Sequence, residues 1–230
     1  MPKYRRAEHR AIAEVLNALS AEFLTAAKCY FGGGTYLAMT LDEYRVSRDI
    51  DFLCSDRGGF RQLREEISDT SLGGILRRPL ELVRDVRADR DGIRTFVKSG
   101  DARIKLEILF ESRIDLAGPL DRGLSLPVLS PEHCVAEKLL ANADRGLDDS
   151  TLSRDLIDLA FAIVHFGKPK AALGLDLAES AYGTAVRRYL TEALDRFQRD
   201  RARAAACIKS LAIEDTATLR KGLRALRTLL

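Results

Sequence analysis

Paired cysteines and long apolar segments are both missing from this sequence of 230 residues. Its four cysteines, at positions 29, 54, 134 and 207, form no Cys-x-x-Cys pair and no Cys/His ligand spacing, which excludes a zinc site and a disulfide scaffold and favours a reducing compartment. The longest apolar run, Leu159 to Val164, is far shorter than the roughly 20 residues that a membrane span needs, and the charged N-terminus lacks the apolar core of a secretion signal. We therefore expect a soluble cytoplasmic protein with no membrane partner.

An excess of charge of one sign is also nearly absent. The 37 basic residues exceed the 34 acidic residues by only three, and most of the basic residues are arginine. A nucleic-acid partner would have to bind local arginine clusters instead of a uniformly basic surface. Such clusters occur late in the chain, at Arg187, Arg188, Arg196, Arg199, Arg201, Arg203, Arg220, Lys221, Arg224 and Arg227. They could bind an RNA backbone, although interleaved acidic residues favour a solvated helix surface as the simpler interpretation.

The apolar fraction of 46% excludes disorder, and hydrophobic periodicity divides the chain into two parts. Apolar residues that recur from Ile12 to Leu24 predict one amphipathic helix at the start. The segments that follow predict a short strand, a glycine turn, a short helix, a strand from Arg48 to Cys54 and a helix from Phe60 to Ser68. Alternation in three further runs predicts a mixed or antiparallel sheet: Leu80 to Ala88, Ile93 to Lys98 and Arg103 to Phe110.

Helical patterning dominates after Ser130-Pro131, a typical helix start, with breaks at Gly146 to Ser150, Gly167 to Pro169, Gly183 and near Glu214. We therefore predict an α+β protein in which a mixed sheet flanked by helices, residues 1–128, precedes an all-helical domain, residues 129–230.

The strongest candidate for chemistry is the segment Arg48-Asp49-Ile50-Asp51-Phe52. On a strand, Asp49 and Asp51 would project from one face while Ile50 and Phe52 are buried on the other. Two neighbouring carboxylates repel each other unless a divalent cation lies between them, and Mg²⁺ prefers a few carboxylates together with phosphate oxygens. The pattern predicts phosphoryl transfer, although Asp-x-Asp alone is common on solvated strands.

A glycine turn precedes these aspartates in the sequence. Gly33 and Gly34 at the start of a helix would let backbone N–H groups approach a phosphate, and Thr35 adds a hydroxyl donor. Glycine triplets are also frequent in ordinary turns. Together with the aspartates, they predict a phosphate-binding turn beside a metal site.

A third carboxylate would complete a two-metal site or accept the proton of an attacking hydroxyl. Glu107 alternates with Ile104, Leu106 and Ile108 in a strand pattern, so it can join Asp51 if the two strands are neighbours. An exposed charged sheet face is an equally good interpretation. Glu111 and Asp115 are weaker candidates.

The helical half offers a cation and two acids. Lys138 lies on a polar stripe with Asn142 and Arg145, and the following helix carries Asp155 and Asp158. An interhelical salt bridge is the simplest interpretation, and a cation oriented toward nucleotide phosphates is the functional one.

These segments resemble the AbiEii/AbiGii (MenT-like) nucleotidyltransferase toxins. The resemblance lies in Gly33-Gly34-Thr35-Tyr36-Leu37, in Arg45-Val46-Ser47-Arg48-Asp49-Ile50-Asp51-Phe52, in Glu137-Lys138-Leu139 with Arg145, and in Arg154-Asp155-Leu156-Ile157-Asp158-Leu159, and it covers roughly residues 30 to 165. It implies a DNA polymerase β-type nucleotidyltransferase core, with a helical domain that completes the active-site cleft. It also implies membership of a bacterial toxin–antitoxin pair with an antitoxin protein partner.

The resemblance further implies use of a nucleoside triphosphate with Mg²⁺ or Mn²⁺, and transfer of a nucleotide to RNA, above all to the tRNA 3′ end. By this comparison Asp49 and Asp51 bind metal, Lys138 with Asp155 or Asp158 is required for activity, and Ser47 and Arg48 join the glycine turn at the phosphates. In many nucleotidyltransferases serine follows the first glycine, whereas here the hydroxyl comes one residue later, on Thr35.

Other functions use the same residues. A transferase acting on a protein hydroxyl needs the same metal site but no basic surface, and a transferase acting on a small molecule needs an acidic acceptor pocket. A non-catalytic antitoxin or binding module with this fold would need neither aspartate.

Overall fold

The computed structural model describes residues 3–230 and divides into two compact units. The first unit runs from the start of the described chain to Tyr36 and from Ser47 to Ser130, and it contains the sheet. The second unit comprises Leu37–Val46 and Pro131–Leu230 and is helical. The fold class is therefore confirmed as an α+β core followed by a helical C-terminal part, while the domain boundary at residue 128 stays a prediction.

A five-stranded mixed sheet forms the centre of the first unit. Its strands, in spatial order, are β1 (Cys29–Gly32), β2 (Ile50–Cys54), β5 (Ala102–Phe110), β4 (Gly92–Ser99) and β3 (Leu82–Ala88). Only β2 and β5 run parallel, and all the other neighbours are antiparallel. The short strands β6 (Leu120–Asp121) and β7 (Leu126–Pro127) form a separate hairpin.

The register of the sheet separates a buried face from a polar one. Phe31 pairs with Phe52, and Phe52 pairs with Ile108; all three side chains are almost fully buried. Because side chains alternate along strands, Asp51 and Glu107, which pair directly across β2 and β5, share the opposite face. The condition for Glu107 to join Asp51, that their strands are neighbours, is therefore met, while the role of Glu107 stays a prediction.

The single helix predicted from Ile12 to Leu24 is wrong, because two helices occupy this part of the chain. Helix α1 (Ala7–Leu16) ends before the backbone N–H of Ser20 donates to the carbonyl of Ile75. The Ser20 hydroxyl then accepts from the N–H of Phe23 and begins α2 (Ala21–Ala26). A serine that caps a new helix therefore interrupts an apolar period that looks continuous.

Two further helices lie on either side of β2 in the sequence. Helix α3 (Gly33–Thr40) follows β1 directly, and α4 (Arg57–Glu66) begins where the Asp56 carboxylate accepts from the N–H of Gly59. A short 3-10 helix covers Gly73–Ile75. The helix predicted from Phe60 therefore begins one turn earlier than its apolar residues suggest.

The helical unit contains six long helices and a short 3-10 helix at Asp149–Thr151. They are α5 (Pro131–Arg145), α6 (Arg154–Phe166), α7 (Lys168–Tyr182), α8 (Ala185–Arg199), α9 (Arg201–Ser210) and α10 (Thr216–Arg227). The predicted helix start at Pro131 and the four predicted breaks are confirmed. A fifth break was missed at Asp200, whose carboxylate accepts from the N–H of Arg203 and begins α9.

Close helix packing in this unit depends on Gly222. A Cβ atom at this position of α10 would lie 1.9 Å from the carbonyl oxygen of Ala160 in α6, so only glycine allows the two backbones to approach this closely. Across residues 3–230, no helix has the length and apolar content to cross a membrane.

Candidate active site

The glycine turn between β1 and α3 lies against the Asp51 carboxylate. Gly32, the last residue of β1, pairs with Asp51 in the sheet, and Gly33 begins α3 with a φ of +67°. A Cβ atom on Gly33 would lie 2.6 Å from Asp51 Oδ2. Both the backbone conformation and the space therefore require glycine, and they place the N-terminus of α3 beside a carboxylate.

The two hydroxyl groups predicted to bind phosphate bind each other. Thr35 is buried in the first turn of α3, and its Oγ1 lies 2.6 Å from Ser47 Oγ. This hydrogen bond ties the glycine turn to the segment that leads into Asp49. Arg48, on the same segment, is exposed and pairs with Glu8 at 3.3 Å.

The two aspartates differ in their local structure. Asp51 is half-buried within β2, whereas Asp49 is exposed and precedes the strand, which begins at Ile50. The prediction that the strand starts at Arg48 and carries both aspartates on one face is therefore wrong. Asp49 lies on non-strand backbone because no neighbouring strand pairs with it in the described register.

The predicted third carboxylate, Glu107, is bound by two cations. Lys105 Nζ lies 2.5 Å from one carboxylate oxygen and Arg94 Nε lies 3.3 Å from the other. Among the weaker candidates, Glu111 is buried and accepts hydrogen bonds from Arg113, whereas Asp115 is exposed. Glu107 is thus next to Asp51 in the sheet, but its oxygens already have partners.

The donor set fits a magnesium ion only in part. Across residues 3–230, no three histidine, cysteine or acidic side chains gather closely enough to hold a metal. Mg²⁺ ordinarily takes one or two carboxylates and completes its shell with phosphate oxygens and water. Asp51 lies beside the Gly33 turn, where a Cβ atom would clash with its carboxylate, and Asp49 lies two residues earlier. These two residues fit the requirement of Mg²⁺ for one or two carboxylates.

A second group of predicted residues forms a buried charge network in the helical unit. Lys138 Nζ, on α5, lies 2.9 Å from Asp155 Oδ1 and 2.7 Å from Asp158 Oδ2, both on α6. Arg145 binds Asp155 through two nitrogens, at 2.8 and 3.1 Å. The expected interhelical salt bridge is present, and Lys138 is almost fully buried within it.

Sequence reasoning missed two members of this network, Tyr44 and Arg45. Arg45 Nε and Nη2 donate to the two oxygens of Asp158 at 2.6 and 2.9 Å, and the Tyr44 hydroxyl donates to Asp158 Oδ1 at 2.6 Å. The Tyr44 ring also stacks on Phe161, with centroids 4.0 Å apart. Arg45 is the first residue of the Arg-x-Ser-x-Asp segment, which was the only sequence signal for its role.

The network keeps its acids and Lys138 charged. Burial alone raises the pKa of the Asp155 carboxyl, but the charges of Lys138 and Arg145 outweigh burial and hold this pKa below its ordinary value. Burial likewise opposes ionisation of Asp158, and Arg45 and Lys138 lower its pKa. Burial by itself lowers the pKa of Lys138, and the two aspartates raise it. Lys138 is therefore a fixed, protonated cation.

Five of the late arginines pair with three acids within the helical unit. Arg187 pairs with Glu179, Arg196 and Arg203 pair with Asp149, and Arg199 and Arg227 pair with Asp195. The interpretation of a solvated, salt-bridged helix surface therefore describes these five arginines. Arg201, Arg220, Lys221 and Arg224 have no such pair among the described residues.

The comparison with known families is decisive. The model of the family "Nucleotidyl transferase AbiEii toxin, Type IV TA system" matches residues 14–228. The chain belongs to the AbiEii nucleotidyltransferase toxin family. It is therefore a nucleotidyltransferase of a toxin–antitoxin system, a class that implies a nucleoside triphosphate substrate and a cognate antitoxin.

One solved structure shares the fold of this AbiEii protein, and a second is only a weaker match. A candidate nucleotidyltransferase from Helicobacter pylori is 18% identical, with a TM-score of 0.57 over 99% of this chain and 96% of that one. The JHP933 protein of Helicobacter pylori is 19% identical over 84% of this chain and 97% of its own, with a TM-score of 0.41. No curated protein is similar to this chain.

Proposed function

We propose that this AbiEii protein transfers a nucleoside monophosphate from a nucleoside triphosphate to RNA, at the tRNA 3′ end, in the cytoplasm. The observation that carries the proposal is the contact of the Gly33 turn with Asp51. A helix N-terminus offers N–H groups to phosphate, and a carboxylate beside it offers a ligand for the divalent cation that accompanies phosphate. Modification of the tRNA end would prevent aminoacylation and so arrest translation.

Each predicted residue has a role in this proposal. Asp49 and Asp51 would hold Mg²⁺ or Mn²⁺, and the ion would neutralise charge on the triphosphate. Gly33, Gly34 and Thr35 bind phosphate oxygens through the first turn of α3, and Ser47 fixes Thr35. Arg48 is exposed and approaches the phosphates once it leaves Glu8.

The proposed reaction joins an RNA hydroxyl oxygen to the α-phosphorus and breaks the bond to pyrophosphate. Glu107 accepts the hydroxyl proton, or joins the metal ligands, only if Lys105 or Arg94 moves from its oxygens. Lys138, whose position and protonation Asp155 and Asp158 fix, is required for activity in this proposal.

The test is a label-transfer assay. Purified protein is incubated with Mg²⁺, each α-labelled nucleoside triphosphate in turn, and total bacterial RNA together with a protein extract. We expect label in RNA of tRNA size with the wild type and with Asp101→Asn, an exposed change in the β4–β5 turn. We expect none with Asp49→Asn/Asp51→Asn.

Other distributions of label would contradict the proposal. Label on protein would replace the RNA acceptor with a protein hydroxyl, and label on small molecules would indicate a third acceptor class. Equal transfer by the double variant would remove both aspartates from the reaction.

A further inference from the structure

A groove in the first unit gathers basic residues that the proposed reaction does not use. It encloses about 710 Å³ between helix α1, the segment before it and the β6–β7 turn. Lys3, Arg10 and Arg122 line it, and its apolar floor includes the buried residues Tyr4 and Leu124. No sequence motif marks this surface, because its cations lie on three separate stretches of the chain.

The fold holds the side chain of Arg10 and the backbone of the turn that carries Arg122 in place. Arg10 Nη1 donates to the backbone carbonyls of Tyr4 and Arg5 at 3.2 and 2.5 Å, which leaves its other guanidinium N–H groups available. Arg122 lies in a turn fixed by Asp121, whose carboxylate accepts from the N–H of Leu124 at 2.7 Å. Guanidinium groups that are positioned before binding lose less conformational entropy when they bind phosphate.

Two more arginines extend the positive charge at one end of the groove. Asn17 lines the groove, and its backbone carbonyl accepts from Arg77 Nε at 2.8 Å and from Arg78 Nη2 at 3.1 Å. Among residues 3–230, no acidic side chain pairs with the three cations that line the groove, Lys3, Arg10 and Arg122, or with Arg77 and Arg78, which bind Asn17. Glu14, the carboxylate of the groove, accepts a hydrogen bond from Ser99 instead.

We propose that this groove binds the phosphodiester backbone of the RNA acceptor. The proposal rests on the proposed RNA transfer, and it assigns RNA binding to the first unit and not to the late helices, where five arginines already pair with three acids. Several unpaired cations around one concave surface attract a polyanion with repeated charges, and planar guanidinium groups match phosphate geometry. An acidic protein segment is the competing ligand, and the experiment below distinguishes it from RNA.

The test measures the binding of a fluorescent tRNA transcript by anisotropy, without nucleotide or metal, at several salt concentrations. We expect Arg10→Glu/Arg122→Glu to weaken binding at least tenfold and to lower the salt slope by about 1.5, since each lost phosphate contact removes roughly 0.7–0.9. The matched control is Arg57→Glu/Arg64→Glu, which makes the same charge change on exposed positions of α4. We expect it to bind tRNA within twofold of the wild type.

Three outcomes would overturn the proposal. The first is tRNA binding by the groove variant that equals that of its control. The second is a greater loss with Arg220→Glu/Arg224→Glu, which would assign RNA to helix α10. The third is a groove variant that retains tRNA but loses a labelled polyglutamate peptide, which would identify an acidic protein segment as the ligand. Because the assay contains no nucleotide, tRNA binding without label transfer would support the groove and contradict the proposed function.

Discussion

At the scale of single residues, Gly33 carries two constraints that usually occur separately. Its φ of +67° is costly for any residue with a side chain, and its open side faces Asp51 Oδ2. Gly100, in the β4–β5 turn, has a similar φ of +57°, but a Cβ atom there would have no heavy atom within 4 Å. A comparison of substitutions at Gly33 and Gly100 therefore distinguishes the effect of backbone strain from the effect of contact with the Asp51 carboxylate.

The first prediction compares alanine at these two positions. Both Gly33→Ala and Gly100→Ala should lose about 1–2 kcal/mol of the free energy of unfolding through left-handed strain. Only Gly33→Ala should also displace Asp51 and lower the label-transfer rate, by at least tenfold. Urea unfolding and the transfer assay measure the two effects. Equal transfer rates for the two variants would show that the turn does not position the carboxylate.

Residue-level prediction from the sequence succeeded where a local pattern determines the outcome. Alternation in β5 placed Glu107 on the polar face, and the register with Asp51 followed once the strands paired. The same alternation failed for Asp49, because strand pairing depends on a neighbour that the local sequence does not reveal. The two cations on Glu107 come from β4 and β5, and their contacts also required the tertiary structure.

At the scale of elements, α5, α6 and the Tyr44-Arg45 segment share one buried network. Asp158 accepts from Tyr44, Arg45 and Lys138, so removal of one partner leaves uncompensated charge in the interior. Breaking a buried ion pair is much more costly than replacing all of it by apolar groups. We therefore expect mutations in this network to have strongly non-additive effects on the free energy of unfolding.

The second prediction follows from this difference. Arg45→Met should lower the free energy of unfolding by about 3–5 kcal/mol, because it leaves Asp158 undercompensated. The triple variant Tyr44→Phe/Arg45→Met/Asp158→Leu removes the acid with two of its three donors, while Lys138 keeps its pair with Asp155, and should regain most of that loss. Urea unfolding followed by circular dichroism measures both. A triple variant less stable than Arg45→Met would show that uncompensated charge on Asp158 does not cause the loss of stability.

The third prediction concerns acid. The pKa values of Asp155 and Asp158 in the folded protein lie below the ordinary value of 3.8, so the unfolded chain binds protons first as the pH falls. Their contribution to stability is therefore complete above about pH 4–5 and is lost as the pH falls through the folded pKa values.

Asp158→Asn tests this dependence. It should be less stable than the wild type at pH 7, and its urea midpoint should fall less steeply between pH 5 and pH 3. A variant that follows the wild-type slope would show that other carboxylates determine the acid sensitivity.

Element boundaries show what periodicity can and cannot predict. The breaks marked by Gly167 and Gly183 were found because glycine ends helices at positive φ, which both residues adopt. The breaks at Ser20 and Asp200 were missed, because a polar cap inside an apolar period leaves the period intact. Tyr44 and Arg45 lie more than 110 residues from Asp158, so their pairing could not be inferred from spacing.

At the scale of the whole molecule, the AbiEii fold could be predicted from the sequence. The motifs that carry the resemblance are short local segments, and the resemblance implies the architecture. Of the residues that carried the resemblance, Gly33, Thr35, Ser47 and Asp51 lie in the first unit, whereas Arg45, Lys138, Asp155 and Asp158 form the buried network of the second unit. The groove lined by Arg10 and Arg122 belongs to neither group, and no motif marked it. Cations from separate stretches of the chain meet on one surface only in the folded protein, so no local sequence pattern predicts such a surface.

The last prediction uses the stability of the whole protein to separate the nucleotide site from the RNA groove. A ligand that binds only the folded state adds RT ln(1 + [L]/Kd), or about 2.7 kcal/mol at one hundred times Kd, which corresponds to roughly 5–10 °C in a chain of this size. The nucleoside triphosphate with Mg²⁺ should therefore raise the Tm of the wild type and of Arg10→Glu/Arg122→Glu, but not that of Asp49→Asn/Asp51→Asn. A tRNA transcript should give the opposite pattern, because the aspartate variant keeps the groove and the groove variant does not. If both variants lost both shifts, the two surfaces would form one site, and the assignment of RNA to a separate groove would fail.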